Sequence, residues 1–312
     1  MNRKFIRKFK RKLLRQFFFD VGDYRKTVIL AGTGRSGTTW IEEVINGRND
    51  YRIMFEPFHS KYVDLLSGWS YRQYLRSDDR RDKFLIPADR ILSGRIRNQW
   101  IDKDNQKFFA RKRLIKDVRI HLLLHWIKHN FPEIPIILLL RHPCAVTNSK
   151  LQLKWDTHLD EFLRQDELMD DFLNPFRKDL ENAENTFDKH IFMWCVENYI
   201  PLKQFNEGEI LVIFYEDFCK YPQNEIEKVT RFVGNTFTPE MLDKAAKPSA
   251  QSRKDSAINS KADLVSSWRK GISDEQIKRA VEILSLFGLQ KIYNEGDLPL
   301  LNGTDALKVF ST

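Results

Sequence analysis

The stretch Gly32–Trp40, GTGRSGTTW, restricts this chain more than any other. It follows the apolar run at residues 27–32 (TVILAG), which predicts a strand ending on glycine. It leads into a helical stretch from about Gly37 to Asn46. In such a strand-to-helix turn, backbone N–H groups point at one spot and the helix N-terminus adds partial positive charge. Ser36, Thr38 and Thr39 can add hydroxyl donors. The turn therefore suits a phosphate or a sulfate. The other use of the same residues is an ordinary cap, with Ser and Thr satisfying free helix N–H groups.

A loop that cradles nucleoside triphosphates reads GxxxxGK[ST]. Gly32 and Gly37 have the right separation, but Thr38 stands where the lysine belongs. The cation of the turn is Arg35, two residues before the second glycine. The next core strand, PIILLL at 135–140, runs into Arg141 and not into an acid that could hold Mg²⁺. Both departures weaken a kinase or other NTPase reading, which stays as the distant alternative. They are acceptable for a nucleotide without a triphosphate tail.

The rest of the chain predicts an α/β fold with a central, mostly parallel sheet flanked by helices. Residues 113–118 (RLIKDV), 135–140 and 209–215 (EILVIFY) read as strands, the last two as apolar runs covered on both faces. Residues 120–130 read as a helix with Leu122, Leu123, Trp126 and Ile127 on one side. The segment 156–206 reads as polar and helical, packed on the sheet or capping the site. Residues 273–287 begin with a Ser cap and an acidic first turn. The expected division is a basic amphipathic arm at 1–22 and a single domain at 23–312.

Charge is concentrated at the start. The formal net charge is +9, and eight cations between Arg3 and Arg15, with no acid among them, account for nearly all of it. The remainder lacks the basic surface expected of a nucleic-acid-binding body, so no nucleic-acid partner is expected. Phe5, Phe9, Leu13 and Phe17 recur every fourth residue between those cations. That spacing lines one side of a helix and would let residues 1–19 lie on an anionic membrane, or form a solvated or domain-packed arm. Cys144, Cys195 and Cys219 are far apart and show no metal spacing, which points to a reducing compartment and no catalytic metal. No secretory leader pattern is visible, so a cytoplasmic location is expected, with the inner membrane surface as the contact.

On four elements the chain resembles the sulfotransferases that use 3′-phosphoadenosine 5′-phosphosulfate (PAPS). GRSGTTW resembles their 5′-phosphosulfate loop, and RHPCAVTNS, Arg141 to Ser149, resembles the Arg/Ser pair that holds the 3′-phosphate. WRKG, Trp268 to Gly271, and YEDFCKYP, Tyr215 to Pro222, resemble two later family segments. The resemblance implies the P-loop-like sulfotransferase fold and PAPS as donor, with 3′-phosphoadenosine 5′-phosphate (PAP) as product. It implies a nucleotide site made of Gly34, Arg35, Ser36, Gly37, Thr38, Thr39, Trp40, Arg141, Ser149, Arg269, Lys270 and Gly271. Arg35 would stabilise the bridging oxygen of the leaving phosphate, and Trp40 would stack on adenine or serve as a core aromatic.

Two spacings in the sequence bear on the general base. Small-molecule members carry a histidine two residues after a lysine, and here Lys116 is followed by Val118 at that place. Carbohydrate and tyrosyl-peptide branches pair a loop arginine with a later glutamate, and Arg35 with Glu56, in FEPFH, has that relation. FEP resembles the carbohydrate branch. Glu56 is therefore the expected base, or else a helix cap near Pro57, with His59 in reserve. Lys116 would reach the sulfate or pair with Asp117. The expected acceptor is a carbohydrate or glycosylated metabolite, with Trp69, Tyr71 and Tyr74 as a sugar platform or as packing. A small molecule or a peptide is the alternative acceptor.

Overall fold

The computed structural model describes residues 18–248 and 263–311. The arm residues Phe5, Phe9, Leu13 and Phe17 lie outside the described residues.

Among the described residues seven strands run β1 (Phe19–Asp20), β2 (Thr27–Gly32), β3 (Arg52–Phe55), β4 (Phe109–Ala110), β5 (Arg113–Asp117), β6 (Ile136–Leu140) and β7 (Leu211–Phe214). Five of them form one parallel sheet in the order β3-β5-β2-β6-β7. Among the described residues, helices of six residues or more are α1 (Thr38–Ile45), α2 (Asp82–Leu92), α3 (Leu124–Asn130), α4 (Pro143–Gln152) and α5 (Thr186–Gln204). They continue with α6 (Tyr215–Lys220), α7 (Pro222–Phe232), α8 (Pro239–Ala245), α9 (Asp274–Leu286) and α10 (Gly303–Phe310).

The apolar runs become central strands because both faces are covered. Val28, Leu30, Ile137, Leu139 and Ile213 pack with α1, α6, α7 and α8. Their neighbours Ile29, Ala31, Ile136, Leu138 and Phe214 point to the other face, under α2–α5, α9 and α10. Helix α9 starts with a capping box between Ser273 and Gln276, as its sequence signals. Helix α5 differs from expectation: it is buried almost all round, and its polar residues Glu197 and Asn198 face the interior. Strand β3 and the β1–β4 ribbon were not foreseen.

The chain leaves central β2 for β3 and β5 on one side, then crosses to β6 and β7 on the other. That reversal opens a crevice beyond the carboxyl end of β2, the usual ligand position in such a sheet. At the opposite, amino end, two fully buried arginines close the sheet. Arg52 donates to Asp102 and to Asp20, both at 2.9 Å, and Arg113 pairs with Asp20 as well.

Candidate active site at the carboxyl ends of the strands

The turn Thr33–Gly37 is folded tightly. A side chain at Gly32 would come within 2.8 Å of the Leu139 carbonyl on the neighbouring strand. The Ser36 N–H donates to the Thr33 carbonyl at 2.9 Å, and its hydroxyl donates to the same oxygen. Gly37 is the N-cap of α1 at φ 95° and offers no side chain to cap it. The first N–H groups of α1 are thus left without a capping side chain, at the helix end that favours an anion. Arg35 is held at φ 79°, a left-handed conformation that costs a non-glycine residue roughly 1–2 kcal/mol. Backbone strain of this kind clusters at functional positions.

Residues distant in sequence converge on this turn. The Arg35 Nε donates to the Ser149 hydroxyl on α4 at 3.0 Å. Arg141, just past β6, donates from Nη1 to the Arg35 carbonyl at 3.2 Å. Its guanidinium lies 4.0 Å over the ring of Tyr215, which packs against Gly37. The Trp268–Gly271 segment joins from α4: Asn148 donates to the Trp268 carbonyl at 3.3 Å, and the Trp268 ring stacks on His142 at 4.5 Å. Arg269 is engaged elsewhere, donating to Asp297 at 2.7 Å, while Lys270 and Gly271 are exposed. Trp40 is buried and sits edge-on to Tyr215 and Phe218, so its indole belongs to the packing beneath α1.

Glu56 lies across the crevice, at the end of β3. It has a left-handed φ of 42°, and its carboxylate is bonded to Arg119 and lies 3.5 Å from the Lys116 Nζ. No helix begins at Pro57, and the Phe58 N–H goes to Asp117 at 2.9 Å. Glu56 is therefore no helix cap, and Lys116 faces Glu56. Burial, then the Glu56 charge, raise the Asp117 carboxyl to about 6. His59 is packed among Tyr62, Tyr71 and Trp100. Burial first, then Arg119, bring it down to about 4, so the ring is neutral at pH 7.

Several neighbours escaped the sequence reading. Arg119 carried a usable signal, a cation just past a strand end and three residues after Lys116. Trp155 carried none: its half-exposed ring would touch a side chain at Gly34 at 3.0 Å and stands 6.0 Å from the Arg35 guanidinium. Of the three aromatics read as a platform, Trp69 and Tyr74 belong to the core. Tyr71 is half-buried, with Arg119 at 4.9 Å and Arg72 at 5.0 Å from its ring. Behind it, Arg72 donates to buried Glu197 at 2.7 Å. Burial works against ionised Glu197, but Arg72, Lys150 and His121 outweigh it and hold the carboxyl near 2. Asn198, next on α5, donates to the Thr33 hydroxyl at 3.2 Å and so supports the turn from below.

A family profile described as a sulfotransferase domain matches residues 25–285. A Caenorhabditis briggsae protein, named provisionally as a protein-tyrosine sulfotransferase, is 22% identical over 303 residues, covering 91% of this chain and 96% of that one. A sulfotransferase from Mycobacterium avium superposes with a TM-score of 0.50 at 11% identity, covering 88% of this chain and 79% of that one. A mouse sulfotransferase in complex with PAP gives a TM-score of 0.44 at 17% identity, covering 97% and 92%. The likeness to the Mycobacterium avium structure concerns the fold.

Proposed function

The chain belongs to the sulfotransferase domain family, and on that footing we propose that it moves a sulfuryl group from PAPS to an acceptor hydroxyl in the crevice beyond β2. One observation carries the donor assignment: Arg141 and Ser149 each come within hydrogen-bonding distance of Arg35 in the turn. A nucleotide with phosphate at both 5′ and 3′ positions needs such a double grip. The uncapped start of α1 fits a 5′-phosphosulfate, and the charged Arg141 fits a 3′-phosphate. Lys270, exposed beside α4, is the WRKG cation still open to that phosphate, whereas Arg269 would first leave Asp297. Trp40 would have to turn out of its core position to stack on adenine.

PAPS supplies the sulfuryl group: the bond from sulfur to the 5′-phosphate oxygen breaks, a bond to the acceptor oxygen forms, and PAP leaves. The side chains manage charge and the proton. Arg35 stabilises the charge growing on the departing phosphate oxygen. Glu56 takes the acceptor proton, with Arg119 and Lys116 fixing its orientation. His59, neutral and brought down to about 4 by burial, is the base in reserve.

The acceptor we infer is a carbohydrate hydroxyl. Half-buried Tyr71 lies on the Glu56 side and half-exposed Trp155 on the Arg35 side, and the cations nearby suit a polar acceptor. A peptide tyrosine is the second reading, favoured by the name of the Caenorhabditis relative. The sulfotransferase domain takes in Phe18 onwards and not residue 23 onwards, because β1 pairs with β4 and Asp20 is bonded to buried Arg52 and Arg113; the residues before Phe18 are the arm, a peripheral membrane contact on the cytoplasmic side. The three cysteines, all free, suit a reducing compartment. An acceptor screen with labelled PAPS across sugars, phenols and peptides tests the assignment. Label in a sugar supports it, label in tyrosyl peptides alone moves it to the second reading, and no transfer with tight ATP/Mg²⁺ binding refutes it.

A further inference from the structure

Most large apolar side chains of this domain are buried, but one cluster stands out in solvent. Phe19 is 59% exposed, Phe108 and Phe109 are each 49% exposed and Val21 is 41% exposed. Phe19 and Phe109 sit together because β1 and β4 pair in parallel with these two residues opposite each other, and Val21 and Phe108 flank them along the two strands. The two rings stack at 5.2 Å and 8°, and the Phe19 N–H donates to the Phe108 carbonyl at 2.7 Å. The ribbon is not a loose end. Asp20, between the exposed residues Phe19 and Val21, is bonded to the buried Arg52 and Arg113, and Phe18 is buried beneath the Arg52 guanidinium at 4.1 Å. Clustered exposed aromatics on a rigid support mark an interaction surface.

The chain outside this ribbon says what covers it. The seventeen residues before Phe18 carry eight cations and no acid, with aromatic or leucine side chains at 5, 9, 13 and 17. That segment enters the domain at the aromatic cluster. Exposed Arg111 extends its charge, with its guanidinium 5.7 Å from the Phe109 ring. Aromatics that insert at the headgroup boundary, surrounded by cations that meet anionic lipid, are the two signals peripheral membrane binding needs.

We propose that Phe19, Val21, Phe108 and Phe109 form a membrane-insertion patch of the folded domain, acting with the basic segment before it to dock the enzyme on an anionic lipid surface. The inference rests on the membrane reading of residues 1–19 and extends it to a second, distant part of the chain. It also fixes orientation. The ribbon is tied to Arg52 and Arg113, the first residues of β3 and β5, whereas the Arg35 turn and Glu56 lie at the other ends of the strands. A docked domain turns its crevice away from the bilayer, which suits an acceptor hydroxyl that stands off the surface and excludes one at headgroup level.

Co-sedimentation of the full chain with vesicles of phosphatidylcholine plus phosphatidylglycerol, and with phosphatidylcholine alone, tests this. The wild type is expected on the anionic vesicles only, released by salt. Phe19→Ser and Phe109→Ser should each weaken binding by about tenfold while PAP affinity stays at the wild-type value. If the full chain binds but both variants bind equally well, the patch is refuted and the arm alone is the contact. If the full chain binds neither vesicle, both readings fail, whether the arm folds back over the patch or a second copy covers it. Sedimentation velocity then shows which.

Discussion

Replacing Gly37 by alanine should damage both ends of the nucleotide site at once. Gly37 has φ 95°, and a Cβ there would stand 2.7 and 2.8 Å from two ring carbons of Tyr215. The left-handed backbone costs roughly 1–2 kcal/mol for alanine. Forcing the ring aside adds roughly 1–3 kcal/mol, as overpacking does in a well-filled core. Tyr215 cannot yield freely: it is buried, edge-on to Trp40, and Arg141 lies on its other side at 4.0 Å. The total of roughly 2–5 kcal/mol should lower the melting temperature by roughly 5–10 °C. Displacing Tyr215 also displaces Arg141, so PAP should bind at least about tenfold more weakly, the equivalent of about 1.4 kcal/mol. Gly208→Ala separates the two terms. Its φ is 85°, but nothing lies within 4 Å of the added Cβ. It should show only the backbone cost and bind PAP normally. Calorimetric titration with PAP and a thermal melt on both variants suffice. If Gly37→Ala matches Gly208→Ala in both, the packing chain from Gly37 through Tyr215 to Arg141 does not support the site.

Arg35→Ala should cut turnover by roughly 10²–10³-fold, the usual loss when one donor to developing charge is removed, with the melting temperature little changed. Wild-type turnover would exclude Arg35 from the chemistry. Glu56→Gln should reduce turnover by roughly 10²–10⁴-fold, with PAP affinity preserved. A fully active variant would pass the proton to His59 or to the substrate. Glu42, on α1, is buried, and burial, opposed next by Lys116, raises its carboxyl from 4.5 to about 8. The folded state therefore holds this proton more tightly than the unfolded chain. Its contribution is full below 4.5 and is lost as pH rises through that window, by at most roughly 1.4 kcal/mol per pH unit. Glu42→Gln should remove that decline and raise stability at pH 8; denaturant titrations giving both proteins the same pH slope would contradict it.

The parts visible in the sequence were those with local patterns. TVILAG and PIILLL read as strands because both of their faces are buried, and Ser273 announced a helix through its own cap. Strand β3 was hidden because it is short and opens with Arg52, whose full burial depends on carboxylates far away at Asp20 and Asp102. Helix α5 looked polar because Glu197 and Asn198 meet their partners, Arg72 and Thr33, only once the chain has folded. The same division holds at the crevice. The turn, Arg141 and Ser149 were legible as strand-end motifs. Arg119 beside Glu56, 63 residues away, and Trp155 against Gly34 are juxtapositions made by folding.

The proposed site requires one nucleotide to be gripped at its 5′ end by the Arg35 turn and at its 3′ end by Arg141 and Ser149. The direct test is the calorimetric affinity for PAP and for adenosine 5′-phosphate, which lacks the 3′-phosphate, in the wild type and in Arg141→Ala. Hydrogen bonds to a charged group contribute about 1.5–3 kcal/mol each, so the wild type should prefer PAP by at least about tenfold and the variant should lose most of that preference. A wild type indifferent to the 3′-phosphate, or a variant that keeps the full preference, would contradict the assignment.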